Sequence, residues 1–159
     1  MLQEKDQGFE SKIGIKGLFH AQLFSPEGDL KEERIVHNTV TELCDAHVAD
    51  QLSDVPGEAA IGFMAVGTGT GQTSASVGLA TSLERHALDS TTQGAGAADN
   101  DLVYVATWGA GTGTGAITEA GILTADNDTS LQYYADFAVI NKGAADSLVI
   151  TWTATFGAS

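Results

Sequence analysis

Two glycine-rich runs are the stretches of this sequence whose residue types could bind a ligand through backbone N–H groups. The first, IGFMAVGTGTG, spans residues 61–71, and the second, WGAGTGTG, spans residues 108–115. The first run has the spacing G-x-G-x-G with no lysine after it, and the second precedes a strand, so neither matches a nucleotide-binding loop. We predict structural loops that pass close to each other where a side chain would collide. The glycines with this predicted role are Gly67, Gly69, Gly71, Gly109, Gly111, Gly113 and Gly115.

The four histidines are the other residues that could support catalysis or bind a metal ion. No two of them are three or four residues apart, the spacing that places two metal ligands on one helix face. We predict His47 to be partly buried on a helix, and His20 and His37 to lie on a strand hairpin. His86 is predicted near the end of a second helix, where the helix dipole favours a cation.

One turn and one cysteine complete the candidates for chemistry. Residues 126–129, DNDT, resemble the start of a calcium loop, but its twelfth position is Phe137 instead of a glutamate, which favours a turn. Cys44 is the single cysteine, and on the apolar face of a helix a thiol behaves as a small hydrophobe. The sequence therefore predicts no catalytic, cofactor-binding or metal-binding residue and no enzyme.

Composition and charge limit the classes of partner. The 159 residues fit one domain, and 43% hydrophobic with 18% charged residues is typical of a folded chain. Seven basic and 21 acidic residues give a formal charge of −14, which repels nucleic acid and anionic membranes. The first residues lack the basic and apolar regions of a signal peptide, so we expect synthesis in the cytoplasm.

Alternating apolar and polar residues predict a mainly β protein. Short strands separated by turns, without helices between them, favour an antiparallel β-sandwich or a jelly-roll-like barrel. Residues 1–11 are predicted to form an N-terminal arm, and residues 12–159 a single β-rich domain. Strands are predicted at residues 12–24, 30–37, 102–108, 117–124, 131–140 and 147–156, with a polar loop at 90–100.

Two short helices are predicted among these strands. Thr39 to Glu42 has the spacing of a capping box, and apolar residues then recur at helical spacing until about Ser53. A second helix is predicted at residues 76–86, with Leu79 and Leu83 facing the core.

Four features in order carry a resemblance to a family. They are a strand hairpin that ends in Asn38 before a helix, AVGTGT at 65–70 followed by LATSLER at 79–85, ITEAGI at 117–122, and a final alternating strand. Together they resemble small virion structural proteins of tailed bacteriophages. The resemblance implies a β-rich protein without a catalytic role that binds other virion proteins.

A capsid decoration (cement) protein on the outer surface of the head shell is therefore the leading hypothesis. The resemblance implies a virion location, the major capsid protein or another virion protein as partner, and a homo-oligomer, with a trimer favoured. Five of the seven basic residues precede Asn38, so the arm and the basic hairpin are predicted to make the contact. The contact residues predicted are Phe9, Lys12, Lys16, Lys31 and Arg34.

Two alternatives remain open from the sequence. The first is a tail component, such as a fibre-attachment or baseplate-associated subunit, with the same fold in fewer copies. The second is a carbohydrate-binding β-sandwich, in which exposed aromatic rings would stack on sugars. The rings available for that role are Trp108, Tyr133, Tyr134 and Trp152.

Overall fold

A computed structural model describes residues 13–158, with the side chain of Ala158 left out. Two five-stranded antiparallel sheets pack face to face, and one α-helix covers one end. The predicted antiparallel β-sandwich is thus confirmed; of the two architectures predicted, the sandwich is the one observed. The elements are β1 (Ile13–Phe24), β2 (Leu30–His37), β3 (Thr39–Val40), α1 (Glu42–Gln51), β4 (Phe63–Gly67), β5 (Ser82–Ala87), β6 (Ser90–Gln93), a 3₁₀ turn (Gly96–Ala98), β7 (Asp101–Trp108), β8 (Gly115–Leu123), β9 (Leu131–Lys142) and β10 (Ser147–Ala158).

The strand orders are β2-β1-β10-β7-β6 in sheet A and β3-β9-β8-β4-β5 in sheet B. Sheet A is built on the pairing of β1 with β10, which continues without interruption from Ile13 opposite Ala158 to Phe24 opposite Ser147. Because side chains alternate across a strand, this register places every second residue of both strands inside the sandwich. The first and last described strands therefore lie side by side in the interior of sheet A.

The β1–β2 hairpin forms as predicted, and β2 is the edge strand of sheet A. Its turn is closed by a hydrogen bond from the Gly28 N–H to the Ser25 carbonyl (2.9 Å). Gly28 has φ of 91°, a left-handed conformation that glycine adopts without the steric cost of a side chain. The chain then returns along the outer edge of β1.

The core between the sheets consists of inward-facing residues from both sheets. Trp152 on β10 is fully buried, and its indole N–H donates to the Asn38 side-chain oxygen (3.0 Å). That oxygen occupies the space beside Gly17 that a Cβ would need, which explains a glycine opposite a tryptophan-bearing strand. The largest fully buried side chains are Trp108, Trp152, Tyr133, Phe19, Leu23, Met64, Ile117, Ile122, Leu123, Leu131, Ile140 and Leu148.

Helix α1 begins later than the predicted capping box. Thr39 and Val40 instead pair with Tyr134 and Tyr133 of β9, since β-branched residues suit a strand edge. Thr41 is the N-cap, and its hydroxyl oxygen accepts from the Cys44 N–H (3.3 Å). The prediction of a helix here is confirmed, while the prediction of Thr39 as its cap is wrong.

The predicted second helix at residues 76–86 is wrong. Ser82–Ala87 is strand β5, paired with β4, and the residues before it form an irregular segment over the outer face of sheet B. The helical spacing is misleading because Leu79 packs into a small apolar cluster on that outer face, whereas Leu83 is 41% exposed. We name residues 68–81 the covering loop.

The predicted polar loop at residues 90–100 also contains ordered structure. Its first residues form β6, which pairs with β7 at the edge of sheet A. Short polar edge strands carry no apolar alternation, so a periodicity argument does not detect them.

Candidate functional site

The predicted contact residues have different surroundings in the fold. Phe9 and Lys12 lie outside the described residues, and Lys16 is exposed on β1. Arg34 donates from Nε to the Ala138 carbonyl (2.9 Å) and from Nη2 to the Val139 carbonyl (2.7 Å), so it joins edge strand β2 to β9. This guanidinium therefore links the two sheets along one side of the sandwich.

Lys31 is likewise engaged within the chain. Its Nζ lies 2.8 Å from Oδ2 of Asp146, a buried residue in the turn before β10. Asp146 Oδ2 also accepts from the Gly143 N–H (2.8 Å). The bond from Lys31, followed by the one from Gly143, lowers the pKa of Asp146 below its ordinary value of 3.8.

Buried Lys142 lies beside this pair and completes a small polar cluster. Its Nζ donates to the carbonyls of Gly109 (2.9 Å) and Asp146 (2.7 Å). Burial disfavours the ammonium form and lowers the pKa of Lys142, although Asp146 acts in the opposite sense. The cluster holds the β9–β10 turn against the second glycine run.

Replacing Lys31 with methionine is expected to destabilise the protein at pH 7. A carboxyl whose pKa is lower in the folded state adds stability above the unfolded pKa and loses that contribution as pH falls through the folded pKa. The difference between Lys31→Met and wild type should therefore be present at pH 7 and shrink below about pH 3.8. Urea unfolding should show a midpoint lowered by roughly a few tenths of a molar at pH 7.

Lys16→Met is the matched control, since Lys16 is an exposed lysine of the neighbouring strand. A Lys31→Met midpoint equal to that of Lys16→Met at pH 7 would contradict the assigned bond.

The first glycine run leads from β4 into the covering loop, and the buried Glu119 of β8 holds that loop. Oε1 of Glu119 accepts from the backbone N–H groups of Gly69 (3.0 Å) and Thr81 (2.7 Å), and Oε2 accepts from that of Ala80 (3.0 Å). The Tyr134 hydroxyl donates to the same Oε2 (2.9 Å). Burial, and then this bond to Glu119, raises the pKa of Tyr134.

Gly67 and Gly69 are required by this close approach. A Cβ on Gly69 would lie 2.6 Å from the Ala80 Cβ and 2.8 Å from both the Thr81 nitrogen and the Glu119 Oε1. A Cβ on Gly67 would collide with the Thr81 carbonyl oxygen. The prediction of close backbone packing at these two glycines agrees with this geometry.

The second glycine run has other neighbours, so the expected packing of the two runs against each other is wrong. The nearest atoms to a Cβ on Gly113 belong to Trp108, and the nearest to one on Gly115 belongs to Leu83. Gly71, Gly109 and Gly111 would meet nothing within 4 Å. The second run instead contacts Trp108 of β7 in sheet A and Leu83 of β5 in sheet B.

Glu119 is absent from the sequence-based predictions, although a signal for it exists. An acidic residue in the middle of the apolar run ITEAGIL has to be either exposed or supplied with hydrogen-bond donors. Here β8 is a central strand and the covering loop lies over it, so the second case applies. The partners come from residues 38 to 50 positions earlier, which no local pattern shows.

Most of the outer face of sheet A over β10 and β7 is uncharged. Beyond Asp101, the outward side chains of β7 and of positions 149–155 of β10 are half-buried valines and threonines, and Leu18 of β1 continues the row with 42% exposure. We name this surface the uncharged face. Among residues 13–158, Lys16 and Asp101 border it at one end, and His20 of β1, which contacts Glu33 of β2, borders it on the β2 side. Its members are Leu18, Ser90, Thr92, Val103, Val105, Thr107, Val149, Thr151 and Thr153.

An apolar pocket of about 380 Å³ opens between α1 and the ends of the two sheets. Its floor is formed by buried Cys44, Tyr104 and Tyr133. Burial raises the pKa of Cys44 to about 11 and that of Tyr104 to about 12, so at neutral pH these groups are uncharged. The pocket walls and rim are formed by His47, Val48, Gln51, Leu52, Ala60, Ile61, Thr91, Leu102 and Phe156.

The remaining candidates from the sequence have structural partners. Buried His47 contacts Glu58 (3.0 Å), while His86 lies on β5 and not at a helix end, so its prediction is wrong. The DNDT segment is a turn whose Asp126 and Asp128 each lie 2.7 Å from Arg85. Across residues 13–158 no group of three His, Cys, Asp or Glu side chains could hold a metal ion.

The aromatic rings considered for carbohydrate binding are inside the protein. Trp108 and Trp152 are 0% exposed, and Tyr133 and Tyr134 are 1% and 2% exposed. None of the four can present a ring to a sugar in solution, because stacking needs an accessible face.

Comparison of the chain with protein-family models, with curated proteins and with solved structures gives no match. In the described part of the chain, no helix has both the length and the apolar character needed to cross a bilayer.

Proposed function

We propose that this chain is a structural protein of a tailed-bacteriophage virion, a decoration protein that binds the major capsid protein on the outer surface of the head shell. The supporting sequence features are the AVGTGT and ITEAGI motifs and Asn38 before α1. In the fold, Glu119 and Gly69 of these motifs fix the covering loop, and Asn38 accepts a hydrogen bond from Trp152. The motifs therefore stabilise the sandwich itself. The contact with a partner has to come from the surface.

The uncharged face is the observation that carries this proposal. A chain with a formal charge of −14 has a sheet face on which the outward positions 103–107 of β7 and 147–155 of β10 carry no charged side chain. Removing such a face from water requires no charge to be desolvated, whereas burying a charged group without a partner is costly. Depletion of charge at the centre of a patch, with polar and charged groups at its rim, is typical of protein interfaces.

The second sheet offers no comparable surface. The covering loop lies on the outer face of sheet B and buries Leu123, Leu131 and Tyr134 beneath it. Sheet A is therefore the side on which a flat partner surface can approach the strands. Lys16, an exposed residue among the predicted contact residues, lies at the margin of this face opposite Thr155.

Quantitative mass spectrometry of purified particles from the source phage tests the proposed location. On the order of hundreds of copies per particle is expected for a decoration protein, because it follows the symmetry of the shell. A few to tens of copies per particle would instead indicate a tail component. Absence from the particles would overturn a virion role. Sedimentation equilibrium of the purified protein should give three times the monomer mass if the expected trimer forms.

A matched pair of variants tests the uncharged face. Leu18→Glu introduces a carboxylate on this face, and Leu83→Glu introduces one at a leucine of nearly equal exposure on sheet B, 42% against 41%. We expect Leu18→Glu to reduce co-sedimentation with particles at least about tenfold, and Leu83→Glu to bind as wild type does. Equal binding of the two variants would exclude the uncharged face as the contact.

A further inference from the structure

The apolar pocket between α1 and the ends of the two sheets has the size of a small-molecule site. Its volume of about 380 Å³ lies within the range of roughly 300–1,000 Å³ that is usual for ligand pockets. An apolar cavity of about 150 Å³ is already sufficient to bind benzene. The pocket therefore has room for a molecule of about two fused rings.

The walls of the pocket favour an aromatic body. Val48, Ile61 and Phe156 line it and are half-buried, so part of each side chain is accessible from the pocket. The Phe156 ring can make offset or edge-to-face contacts with a second ring. At the floor, the Cys44 sulfur can add a favourable contact with the edge of an aromatic ring.

The floor of the pocket also carries neutral polar groups. The Tyr133 hydroxyl interacts with both the Cys44 thiol and the Tyr104 hydroxyl. In the described part of the chain, Tyr133 is the one hydrogen-bond partner of the Tyr104 hydroxyl. Because a phenolic hydroxyl can both donate and accept, Tyr104 keeps the capacity for a further hydrogen bond. A ligand with one hydroxyl group can supply that bond.

The lining of the pocket disfavours a charged ligand. Among residues 13–158, no lysine, arginine, aspartate or glutamate lines it. His47 is a wall residue that could become cationic, but its Nδ1 already lies 3.0 Å from a carboxylate oxygen of Glu58. An ion that entered the pocket would lose its water without gaining a counter-charge, which is costly. The formal charge of −14 adds a further repulsion for anions.

We propose that this pocket binds a neutral aromatic compound of about two fused rings that carries one hydroxyl group. The rings lie among Val48, Ile61 and Phe156, and the hydroxyl group is hydrogen-bonded to Tyr104 at the floor. This binding is independent of the virion role, because the residues of the uncharged face do not line the pocket. Failure to bind particles and failure to bind such a compound are therefore separate outcomes.

Titration of the full-length protein with 2-naphthol tests the proposal, and 2-naphthoate is the matched anion with the same two rings. A phenolic hydroxyl has a pKa near 10 and is uncharged at pH 7, whereas a carboxylate is ionised. We expect saturable binding of 2-naphthol and at least about a hundredfold weaker binding of 2-naphthoate. Absence of saturable 2-naphthol binding, or equal affinity for the two compounds, would overturn the proposal.

Tyr104→Phe tests the hydrogen bond at the floor, with naphthalene as the compound that lacks a hydroxyl group. The variant should bind 2-naphthol about three- to tenfold more weakly than wild type, because one hydrogen bond is lost. Its affinity for naphthalene should be unchanged. A variant whose affinity falls equally for both compounds has an altered pocket shape, and that result would refute the assigned bond, as would an unchanged affinity for 2-naphthol.

Ala60→Trp tests the position of the site, since Ala60 is an exposed residue of the pocket wall that an indole ring would fill. We expect this change to weaken 2-naphthol binding at least about tenfold. Ala75→Trp, at an exposed alanine of the covering loop, is the matched control and should bind as wild type does. Equal binding of the two variants would exclude the pocket as the site.

Methyl resonances of the wild-type protein give a readout that needs no variant. On addition of 2-naphthol, the methyl signals of Val48, Ile61 and Leu102 should shift, because these side chains line the pocket. The methyl signals of Leu83 and Val139, which are partly exposed residues outside the pocket, should stay in place. Shifts confined to Leu83, Val139 or other residues outside the pocket would contradict binding at this site.

Discussion

Replacing Glu119 with alanine is expected to lower the free energy of unfolding by about 3–5 kcal/mol, a large part of the 5–15 kcal/mol typical of a domain. The carboxyl group is 0% exposed and accepts from three backbone N–H groups and the Tyr134 hydroxyl. A buried donor left without an acceptor costs about 1–3 kcal/mol, and relaxation of the covering loop allows water to reach some of the four. Urea unfolding at pH 7 measures the loss.

Hydrogen exchange should locate the effect of this change. The amides of Gly69, Ala80 and Thr81 are expected to lose protection in Glu119→Ala, while amides of β1 and β10 keep theirs under native conditions.

Two variants serve as controls for Glu119→Ala. Tyr134→Phe removes one of the four donors and should cost about 1 kcal/mol, and Glu27→Ala, at an exposed turn residue, should stay within about 0.5 kcal/mol of wild type. A Glu119→Ala stability within 1 kcal/mol of wild type would show that the carboxyl group does not hold the loop.

Replacing Gly69 with valine is expected to destabilise the protein by at least about 2 kcal/mol and to lower the yield of folded protein. A Cβ at this position would lie 2.6 Å from the Ala80 Cβ, and valine adds two further methyl groups. Overpacking of this kind costs about 1–3 kcal/mol, and displacement of the loop would also weaken the bonds to Glu119. Soluble yield and thermal unfolding measure both effects.

Gly109→Ala is the matched control from the second glycine run. A Cβ on Gly109 would meet nothing within 4 Å, and its φ lies outside the left-handed region, so stability should stay within about 0.5 kcal/mol of wild type. A folded Gly69→Val protein as stable as Gly109→Ala would contradict the close approach seen at Gly69. A folded Gly69→Val protein that had lost a nucleotide-binding signal present in wild type would restore the ligand-loop interpretation.

The longest strands could be predicted from the sequence because their periodicity is strong. β10 alternates Leu148, Ile150 and Trp152 with Val149, Thr151 and Thr153, and one set is buried while the other forms the uncharged face. The turn at Gly28 likewise has a local cause, since proline and glycine restrict or permit particular backbone angles. These signals need no knowledge of distant residues.

The errors arise where distant residues decide the outcome. Leu79 and Leu83 have helical spacing. The backbone N–H groups of Ala80 and Thr81, however, donate to Glu119 of β8 and are therefore not available for the hydrogen bonds of a helix. Thr39 pairs with Tyr134 of β9, which moves the helix cap to Thr41. In both cases a tertiary hydrogen bond replaces the local one that the sequence pattern favours.

The candidate sites were less predictable than the fold for the same reason. The uncharged face follows in part from alternation, but the sequence does not show which sheet face stays uncovered. The pocket combines α1 with strand ends separated by more than a hundred positions, from Cys44 to Phe156. The sequence shows Lys31 and Arg34 only as basic residues of an edge hairpin. Their hydrogen-bond partners, Asp146 of the β9–β10 turn and the carbonyls of β9, are more than a hundred positions away and become visible only in the structure.

The sequence by itself determined that this protein is an acidic, mainly β chain whose first glycine run includes positions of close backbone packing, at Gly67 and Gly69. These properties follow from residue chemistry and from alternation along single strands, both of which are local. Only the tertiary structure decided that Glu119 anchors the covering loop, that sheet A keeps a largely uncharged outer face and that a pocket opens between α1 and the ends of the sheets. Such features depend on which segments meet across the sandwich, and that choice is made by packing and hydrogen bonding over long sequence separations.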